Sequence, residues 1–279
     1  MSETELKRFS GRNVIVTGPG KDIGRATARR FAAEGADVML IGRTARTLEE
    51  TQAMIAETGG RSWVRVADVC ESAEIDTAVD AAMARWGRID VLINNAGDRD
   101  DCPFLEMTEK RWDEVFATNL KGPFLLSQRV AREMVKAGGG VILHNASIDS
   151  GGGDGTFASY NASKAGLLGL NRTMAIELAP YNIRVNCVSP GYTESANLAY
   201  FVGAEVAQYL KTSFDRVPMK RMVLTDEIAA AFAFLASDDA SGITGTELKV
   251  DCGLTSNLYV LETMPTAEDM ARKLAESTG

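Results

Sequence analysis

The chain has 279 residues, of which 45% are apolar, and a formal net charge of −8. This length suits one large α/β domain with a sizeable core, and the acidic balance argues against nucleic acid or an anionic membrane as the main partner. We expect no signal peptide, since residues 1–7 lack an apolar segment, and no membrane span. The four cysteines are scattered along the chain, which predicts reduced thiols in a cytoplasmic protein. The single histidine, His144, falls in an apolar run, so we expect a core histidine and no metal site.

Short apolar runs alternate with amphipathic stretches along the first half of the chain. Residues 13–17 predict a strand, residues 18–24 a glycine-rich turn, and a helix follows from residue 25 to about 34. The next strands are predicted at 36–41, 62–66 and 89–93, with helices at 45–57 and 72–86 between them. This alternation predicts a doubly wound parallel sheet with helices on both faces, and ligands bind such sheets at the carboxyl ends of the strands.

The turn after the first strand has the composition of a phosphate-binding loop. Glycines let the backbone approach a pyrophosphate, and the N-terminus of the next helix supplies N–H groups. The second strand ends at Gly42 and Arg43, where NAD-binding folds carry an acidic residue for the ribose 2′-hydroxyl. We interpret Arg43 and Lys21 as partners of a 2′-phosphate, which favours NADP(H) over NAD(H). The alternative is that both are ordinary surface charges.

The stretch from Ser147 to Lys164 carries the candidate chemistry. Ser147 follows a predicted strand at 141–146, and Tyr160 and Lys164 lie one turn apart on a helix that extends to about residue 179. A free phenol has a pKa of about 10, and a nearby ammonium lowers it. Tyr160 would then exchange a proton with an alcohol or carbonyl oxygen that Ser147 holds. The alternative is a tyrosine–lysine pair on a solvated helix face.

The remaining segments complete the sheet. A long helix is predicted at 108–136, a strand at 184–188, a helix at 227–237 and a last strand at 247–250.

A series of motifs resembles the short-chain dehydrogenase/reductase superfamily, in particular its Ser-Tyr-Lys subgroup of about 250 residues. The motifs are, in order, Thr17-Gly18 with Ile23-Gly24, Asp68, Asn94-Asn95-Ala96-Gly97, Asn119, Ser147, Tyr160-x-x-x-Lys164 and Pro190-Gly191. The resemblance implies a single Rossmann-like domain of about seven strands over residues 1–257. It divides into a cofactor half at about 8–150 and a catalytic and lid half at about 140–257, and residues 258–279 would form a C-terminal extension.

The same resemblance implies a role for each site residue. Tyr160 would be the general acid/base, Lys164 would lower its pKa and bind the nicotinamide ribose, and Ser147 would orient the substrate oxygen. Asn119, on the helix at 108–136, would support a water that links Lys164 to solvent. The implied cofactor contacts are Gly18, Gly20, Lys21, Ile23, Gly24, Arg43, Asp68, Val69, Asn95, Ala96, Gly97, Tyr160, Lys164, Pro190, Gly191, Thr193 and Ser195. A homotetramer or homodimer is implied as the assembly.

Three residues depart from the family pattern. Asp22 replaces a glycine of the turn, and we expect its carboxylate to point away from the pyrophosphate and to cap a helix from Ile23, while Gly20 supplies the lost flexibility. Ser195 replaces a threonine that contacts the nicotinamide amide, and a serine can make the same hydrogen bond. Cys252 replaces a glycine and is interpreted as a core thiol, with a place near a subunit contact as the alternative.

Two further segments border the predicted substrate site. Residues 192–221 correspond by resemblance to a mobile lid. Its aromatic residues, which are Tyr200, Phe201, Tyr209 and Phe214, either indicate a substrate with a hydrophobic or ring portion or pack against the body of the fold. Residues 98–101 are interpreted as a solvated loop in preference to a determinant of substrate charge.

The sequence therefore predicts an oxidoreductase that transfers a hydride between NADP(H) and a carbonyl or secondary alcohol of a small, partly hydrophobic substrate. The alternatives are an NAD-dependent alcohol dehydrogenase of the same fold, an epimerase or dehydratase that retains its nicotinamide, and a non-catalytic cofactor-binding regulator.

Overall fold

A seven-stranded parallel sheet forms the centre of the protein in the computed structural model, which describes residues 7–153, 155–195, 198–199 and 203–256. The strands are β1 Asn13–Thr17, β2 Asp37–Gly42, β3 Arg61–Val66, β4 Val91–Asn94, β5 Gly140–Asn145, β6 Ile183–Pro190 and β7 Glu247–Val250. They lie in the order β3-β2-β1-β4-β5-β6-β7, and all neighbours pair in parallel. The predicted doubly wound α/β fold is confirmed.

Helices cover both faces of the sheet. Those of the described residues are α1 Asp22–Ala33, α2 Ala45–Glu57, α3 Ser72–Trp86, α4 Glu109–Phe116, α5 Gly122–Ala137, α6 Ala158–Leu178, α7 Ala204–Thr212 and α8 Thr225–Ala236. The order of the strands reverses between β1 and β4, so the connections on either side of this point run to opposite faces. A crevice at the carboxyl ends of these two strands is where open α/β sheets bind ligands.

Alternation along β1 shows why the sheet needs cover on both sides. Val14 and Val16 pack into one buried cluster with Phe31 of α1 and Phe232 of α8, whereas Ile15 packs into a second cluster with residues of α3 and α5. Successive strand residues point to opposite faces, so burial of all five β1 residues requires helices on each side.

The prediction of a single helix at 108–136 is wrong, because a π-helical turn at Ala117–Lys121 separates α4 from α5. Pro123 in the first turn of α5 has no N–H to continue a regular ladder. The backbone of Gly122 approaches β3–α3 so closely that a Cβ would lie 2.8 Å from the Val69 carbonyl oxygen. The π turn buries the side chain of Asn119, and such turns occur often at functional sites.

The described part of the predicted lid packs against the body of the fold. Phe214 is buried and its ring centroid lies 5.4 Å from that of Tyr192, which supports the packing interpretation for this residue, whereas Tyr209 remains exposed. Cys252 is half-buried against the cluster that contains Phe214, as expected for a core thiol. Tyr200, Phe201 and the extension at 258–279 lie outside the described residues.

Within the described ranges, no helix combines the length and apolar character required to cross a membrane, and no group of His, Cys, Asp and Glu side chains there could hold a metal ion. His144 is a core histidine as predicted: it is fully buried in β5, and burial lowers its pKa to about 3. All four cysteines are free.

Candidate active site

One groove at the carboxyl ends of the strands joins the glycine turn to α6. Its lining includes most of the predicted cofactor residues, which are Gly18, Gly20, Lys21, Ile23, Gly24, Arg43, Asp68, Val69, Asn95, Ala96, Gly97, Tyr160 and Lys164. Four predicted contacts, Pro190, Gly191, Thr193 and Ser195, are not among the described lining residues. Their role in cofactor binding stays a prediction.

The glycine turn packs directly on the turn after β4. Gly18 has a φ of +64°, and a Cβ there would lie 2.9 Å from the Ala96 Cα. A Cβ at Gly20 would lie 2.5 Å from the Thr47 hydroxyl oxygen. The two glycines therefore let the turn approach Ala96 and Thr47 more closely than a side chain would allow.

The expectation for Asp22 is wrong in two respects. The helix begins at Asp22 itself, with Lys21 rather than Asp22 at the N-cap. Asp22 also has a φ of +44°, whereas Gly20 does not have a positive φ, so Asp22 adopts the left-handed conformation that the family's glycine favours. Aspartate is one of the few non-glycine residues that enter this region readily.

Thr17 and Asn95 tie the ends of three strands together. The Thr17 hydroxyl oxygen accepts hydrogen bonds from the N–H groups of Asn95 and Ala96, each at 3.0 Å. The Asn95 amide donates to the Thr17 carbonyl at 3.0 Å and accepts from the Asn145 amide at 2.9 Å. These bonds make Asn95 part of the scaffold as well as of the groove wall, and neither Thr17 nor Asn145 was predicted as a site residue.

The end of the groove beside β2 carries exposed positive charge. Gly42 ends the strand without an acidic side chain, and Arg43 is 70% exposed, with its guanidinium 3.7 Å from the Asp68 carboxylate. Lys21 is also exposed and lines the groove. Asp68 in turn accepts a hydrogen bond from the Cys70 N–H at 2.9 Å, so its position is set by the loop after β3.

At the opposite end, Ser147 and Tyr160 meet as predicted. The Ser147 hydroxyl lies beside the Tyr160 phenol and acts to lower its pKa, and Ser147 is buried just after β5. The Ser147 hydroxyl also donates to the Asp149 carboxylate at 3.2 Å and accepts from the Asp149 N–H at 3.1 Å. Asp149 was not predicted, although a carboxylate two residues after the serine is visible in the sequence.

The prediction that Lys164 lowers the pKa of Tyr160 is not supported by the structure. Lys164 is buried, donates to the Asn145 carbonyl oxygen at 2.6 Å, and has its Nζ 5.5 Å from the centre of the Tyr160 ring. Burial raises the pKa of Tyr160, and the charge of Asp149 raises it further. The nearby Ser147 hydroxyl and the charge of Arg99 act in the opposite direction and lower it. Burial lowers the pKa of Lys164 to about 8.

The Asn119 side chain holds the loop after β4 against α6. Its amide oxygen accepts from the Asp98 N–H at 2.7 Å, and its amide nitrogen donates to the Asp98 carbonyl at 2.8 Å and to the Ser163 hydroxyl at 3.0 Å. Ser163 donates in turn to the Tyr160 carbonyl at 2.7 Å. The side chain of Asn119 thus positions Tyr160 through Ser163, and the predicted water link to Lys164 stays a prediction.

The loop at 98–101 is solvated in part, as interpreted, since Arg99 and Asp101 are exposed, but it is also anchored. Asp98 and Asp100 both form ion pairs with Arg111 of α4, at 2.7 Å and 3.1 Å. Arg99, between them, lines the groove and places its guanidinium 4.8 Å from the centre of the Phe157 ring. Sequence reasoning identified this segment but did not single out Arg99.

Comparison with known proteins gives the same picture over nearly the whole chain. The family model described as enoyl-(acyl carrier protein) reductase matches residues 18–255. The chain is 38% identical to levodione reductase of Leifsonia aquatica over 253 residues, which cover 88% of this chain and 95% of that protein. The chain belongs to the short-chain dehydrogenase/reductase superfamily. As a member of this superfamily it is an NAD(P)-dependent oxidoreductase.

Solved structures of the superfamily superpose closely. A short-chain alcohol dehydrogenase from Sinorhizobium meliloti gives a TM-score of 0.85 at 37% identity, covering 91% of this chain and 100% of that one. A gluconate 5-dehydrogenase from Burkholderia cenocepacia, in complex with NADP and tartrate, gives 0.83 at 32% identity, covering 91% and 99%.

Proposed function

We propose that the protein transfers a hydride between NADP(H) and a carbonyl or secondary alcohol of a small, partly hydrophobic substrate. The observation that carries this proposal is that Tyr160, with Ser147 beside its phenol, lines the same groove as Lys164 and the glycine turn.

Three observations support a phosphorylated dinucleotide as the cofactor. Gly18 and Gly20 line the groove beside the N-terminus of α1, whose N–H groups would favour the pyrophosphate. Arg43 and Lys21 would hold a 2′-phosphate, and their exposure leaves both available to it. The presence of NADP in the structure of a relative, the Burkholderia gluconate 5-dehydrogenase, supports this choice.

The proton would move at the Tyr160 hydroxyl. When bound, the nicotinamide supplies the hydride in reduction and accepts it in oxidation. Tyr160 would donate its proton to the carbonyl oxygen, while Ser147 would turn its hydroxyl proton from Asp149 to hold that oxygen by a hydrogen bond. Because burial raises the pKa of Tyr160, the phenol is protonated at neutral pH, which suits reduction. Oxidation needs the phenolate and gains as the pH rises.

The relatives do not select one substrate. Two of them are named for levodione and for gluconate, which differ in charge and shape. Substrate specificity in such folds comes from the loops around the site. A cytoplasmic location and assembly as a homotetramer or homodimer stay predictions.

The test is turnover of NADPH with a panel of ketones, comparing the wild type with Tyr160→Phe. We expect the variant to lose at least about 100-fold in kcat, because it cannot donate the proton, and to bind NADPH as tightly as the wild type. A Tyr160→Phe protein with near-normal turnover would remove Tyr160 from the mechanism. Tight NADPH binding by the wild type without turnover of any ketone or alcohol would instead favour a cofactor-binding regulator.

A further inference from the structure

The loop after β4 presents one cation to the catalytic end of the groove. Asp98 and Asp100 are occupied by Arg111, at 2.7 Å and 3.1 Å, whereas no carboxylate of the described residues forms an ion pair with Arg99. The Arg99 side chain is exposed, and its guanidinium lies 4.8 Å from the centre of the Phe157 ring. Among the residues that the structure describes, no acidic side chain therefore neutralises this charge by direct contact.

The position of Arg99 is set by the scaffold. Asn119 holds the N–H and the carbonyl of the preceding residue, Asp98, at 2.7 Å and 2.8 Å. Arg111 donates to the Arg99 carbonyl at 3.4 Å. Farther along the loop, the Cys102 N–H donates at 2.9 Å to a carbonyl of the loop before α6. A cation held by backbone contacts and an aromatic ring is already in place for a ligand, so less ordering opposes binding.

This cation lies close to the proton-transfer group. Phe157 is the N-cap residue of α6 and precedes Tyr160 by three residues, so both residues lie at the same end of this helix. Along the helix, Tyr160 lies between Phe157 and Lys164. Arg99, Tyr160 and Lys164 all line this groove, and the charge of Arg99 acts on the Tyr160 phenol.

Asp149 limits where an anion can lie. Its carboxylate accepts the Ser147 hydroxyl proton at 3.2 Å, so a substrate carboxylate directly beside the reacting carbonyl would meet a like charge. A carboxylate several carbons away would avoid Asp149 and reach the Arg99 guanidinium. Guanidinium and carboxylate match as a two-bond pair, which lysine cannot reproduce.

We propose that Arg99 binds the carboxylate of the substrate, and that the substrates are oxo acids, with the corresponding hydroxy acids, in which several carbons separate the carbonyl from the carboxylate. This inference rests on the proposed function of the same site. Arg99 acts as a specificity-determining residue and takes no part in proton transfer.

The experiment compares three related substrates on the wild type, Arg99→Ala and Arg99→Lys. They are 5-oxohexanoate, its uncharged methyl ester, and 2-oxohexanoate, which carries the carboxylate beside the carbonyl. Arg29→Ala is the control, since Arg29 is exposed on α1 and lies outside the groove lining. The readouts are kcat and KM with NADPH, NADPH affinity, and calorimetric binding of acid and ester to the NADPH-loaded Tyr160→Phe protein.

We expect the wild type to prefer 5-oxohexanoate over its ester and over 2-oxohexanoate by at least about tenfold in kcat/KM. Arg99→Ala should raise KM for 5-oxohexanoate by at least about tenfold while changing the ester less than about twofold. Arg99→Lys should recover part of the preference, and Arg29→Ala should keep it. NADPH affinity should be the same in all four proteins.

Several outcomes would overturn the proposal. Equal losses for acid and ester would make Arg99 a support for Phe157 and the loop only. A loss of NADPH affinity in Arg99→Ala would assign Arg99 to a cofactor phosphate. If calorimetry shows no preference for the acid over the ester, the proposal for Arg99 is wrong, whether or not turnover is observed. If binding is selective for the acid but no turnover occurs, the proposed function is wrong and the anion site remains.

Discussion

The two ends of the groove hold their charged and polar groups in opposite ways. At the catalytic end, Lys164 and Asn119 are buried and every polar group of their side chains has a partner among backbone carbonyls, N–H groups or hydroxyls. At the ribose end, Arg43 and Lys21 extend into solvent from a strand end and a turn. Burial makes the first set part of the fold, whereas the second set contributes little to stability and remains available to a ligand.

This difference implies that substitutions at the catalytic end alter folding and pH dependence, whereas those at the ribose end alter only affinity. Arg99 lies between these cases, because its backbone is anchored while its side chain is exposed. Three substitutions test the comparison, beginning with the largest effect.

Asn119→Ala should lower the free energy of unfolding by about 3–4 kcal/mol, since it leaves the N–H and carbonyl of Asp98 without their partner. Ser163→Ala, which removes one of the three hydrogen bonds of Asn119, is the matched control and should cost about 1 kcal/mol. Urea unfolding monitored by circular dichroism measures both. A smaller loss for Asn119→Ala than for Ser163→Ala would show that the π turn does not depend on this amide.

Lys164 should make stability rise with pH. Burial lowers its pKa from 10.5 to about 8, so between these values the folded protein binds fewer protons than the unfolded chain, and the unfolding free energy increases with pH. Relative to Lys164→Met, the wild type should gain up to about 3 kcal/mol from pH 8 to 10.5. Parallel pH profiles for the two proteins, from urea unfolding, would mean that Lys164 is not desolvated in the folded state.

Arg43→Ala should change cofactor preference without changing stability. We expect wild-type protein to bind NADPH at least about tenfold more tightly than NADH, a difference of about 1.4 kcal/mol, and Arg43→Ala to remove most of that gap. Arg46→Ala removes an exposed arginine that does not line the groove and should keep the preference. Both affinities are measured by titration, with the fluorescence of the reduced nicotinamide as the signal. Equal affinities of the wild type for NADPH and NADH would contradict the assignment of NADP(H) and favour NAD(H).

Local patterns were enough to predict most of the fold and the central part of the site. Alternating strands and helices placed the carboxyl ends of β1, β4 and β5 at one edge, and this brought the glycine turn, Asn95 and Ser147 together. Helical spacing placed Tyr160 and Lys164 on one face of α6. Both inferences depend on short-range geometry, which the residue pattern encodes directly.

The errors arose where distant segments meet. The π turn at Asn119 depends on the close approach of Gly122 to Val69 and on the bonds from Asn119 to Asp98 and Ser163. The local pattern at 108–136 indicates an uninterrupted helix. Asp22 shows the same limit, because the turn imposes a left-handed backbone there whatever residue occupies the position.

The sequence by itself determined the class of fold, the order of its elements and the identity of the residues that can exchange a proton, because each follows from hydrophobic period, turn composition or side-chain chemistry. Only the tertiary structure decided how those groups are charged and what each contacts. Lys164 donates to Asn145, Tyr160 has a raised pKa, and Arg99 lies over Phe157 without a carboxylate partner in the described residues. Desolvation and pairing depend on which segments pack together in space, and the spacing of residues along the chain does not specify that.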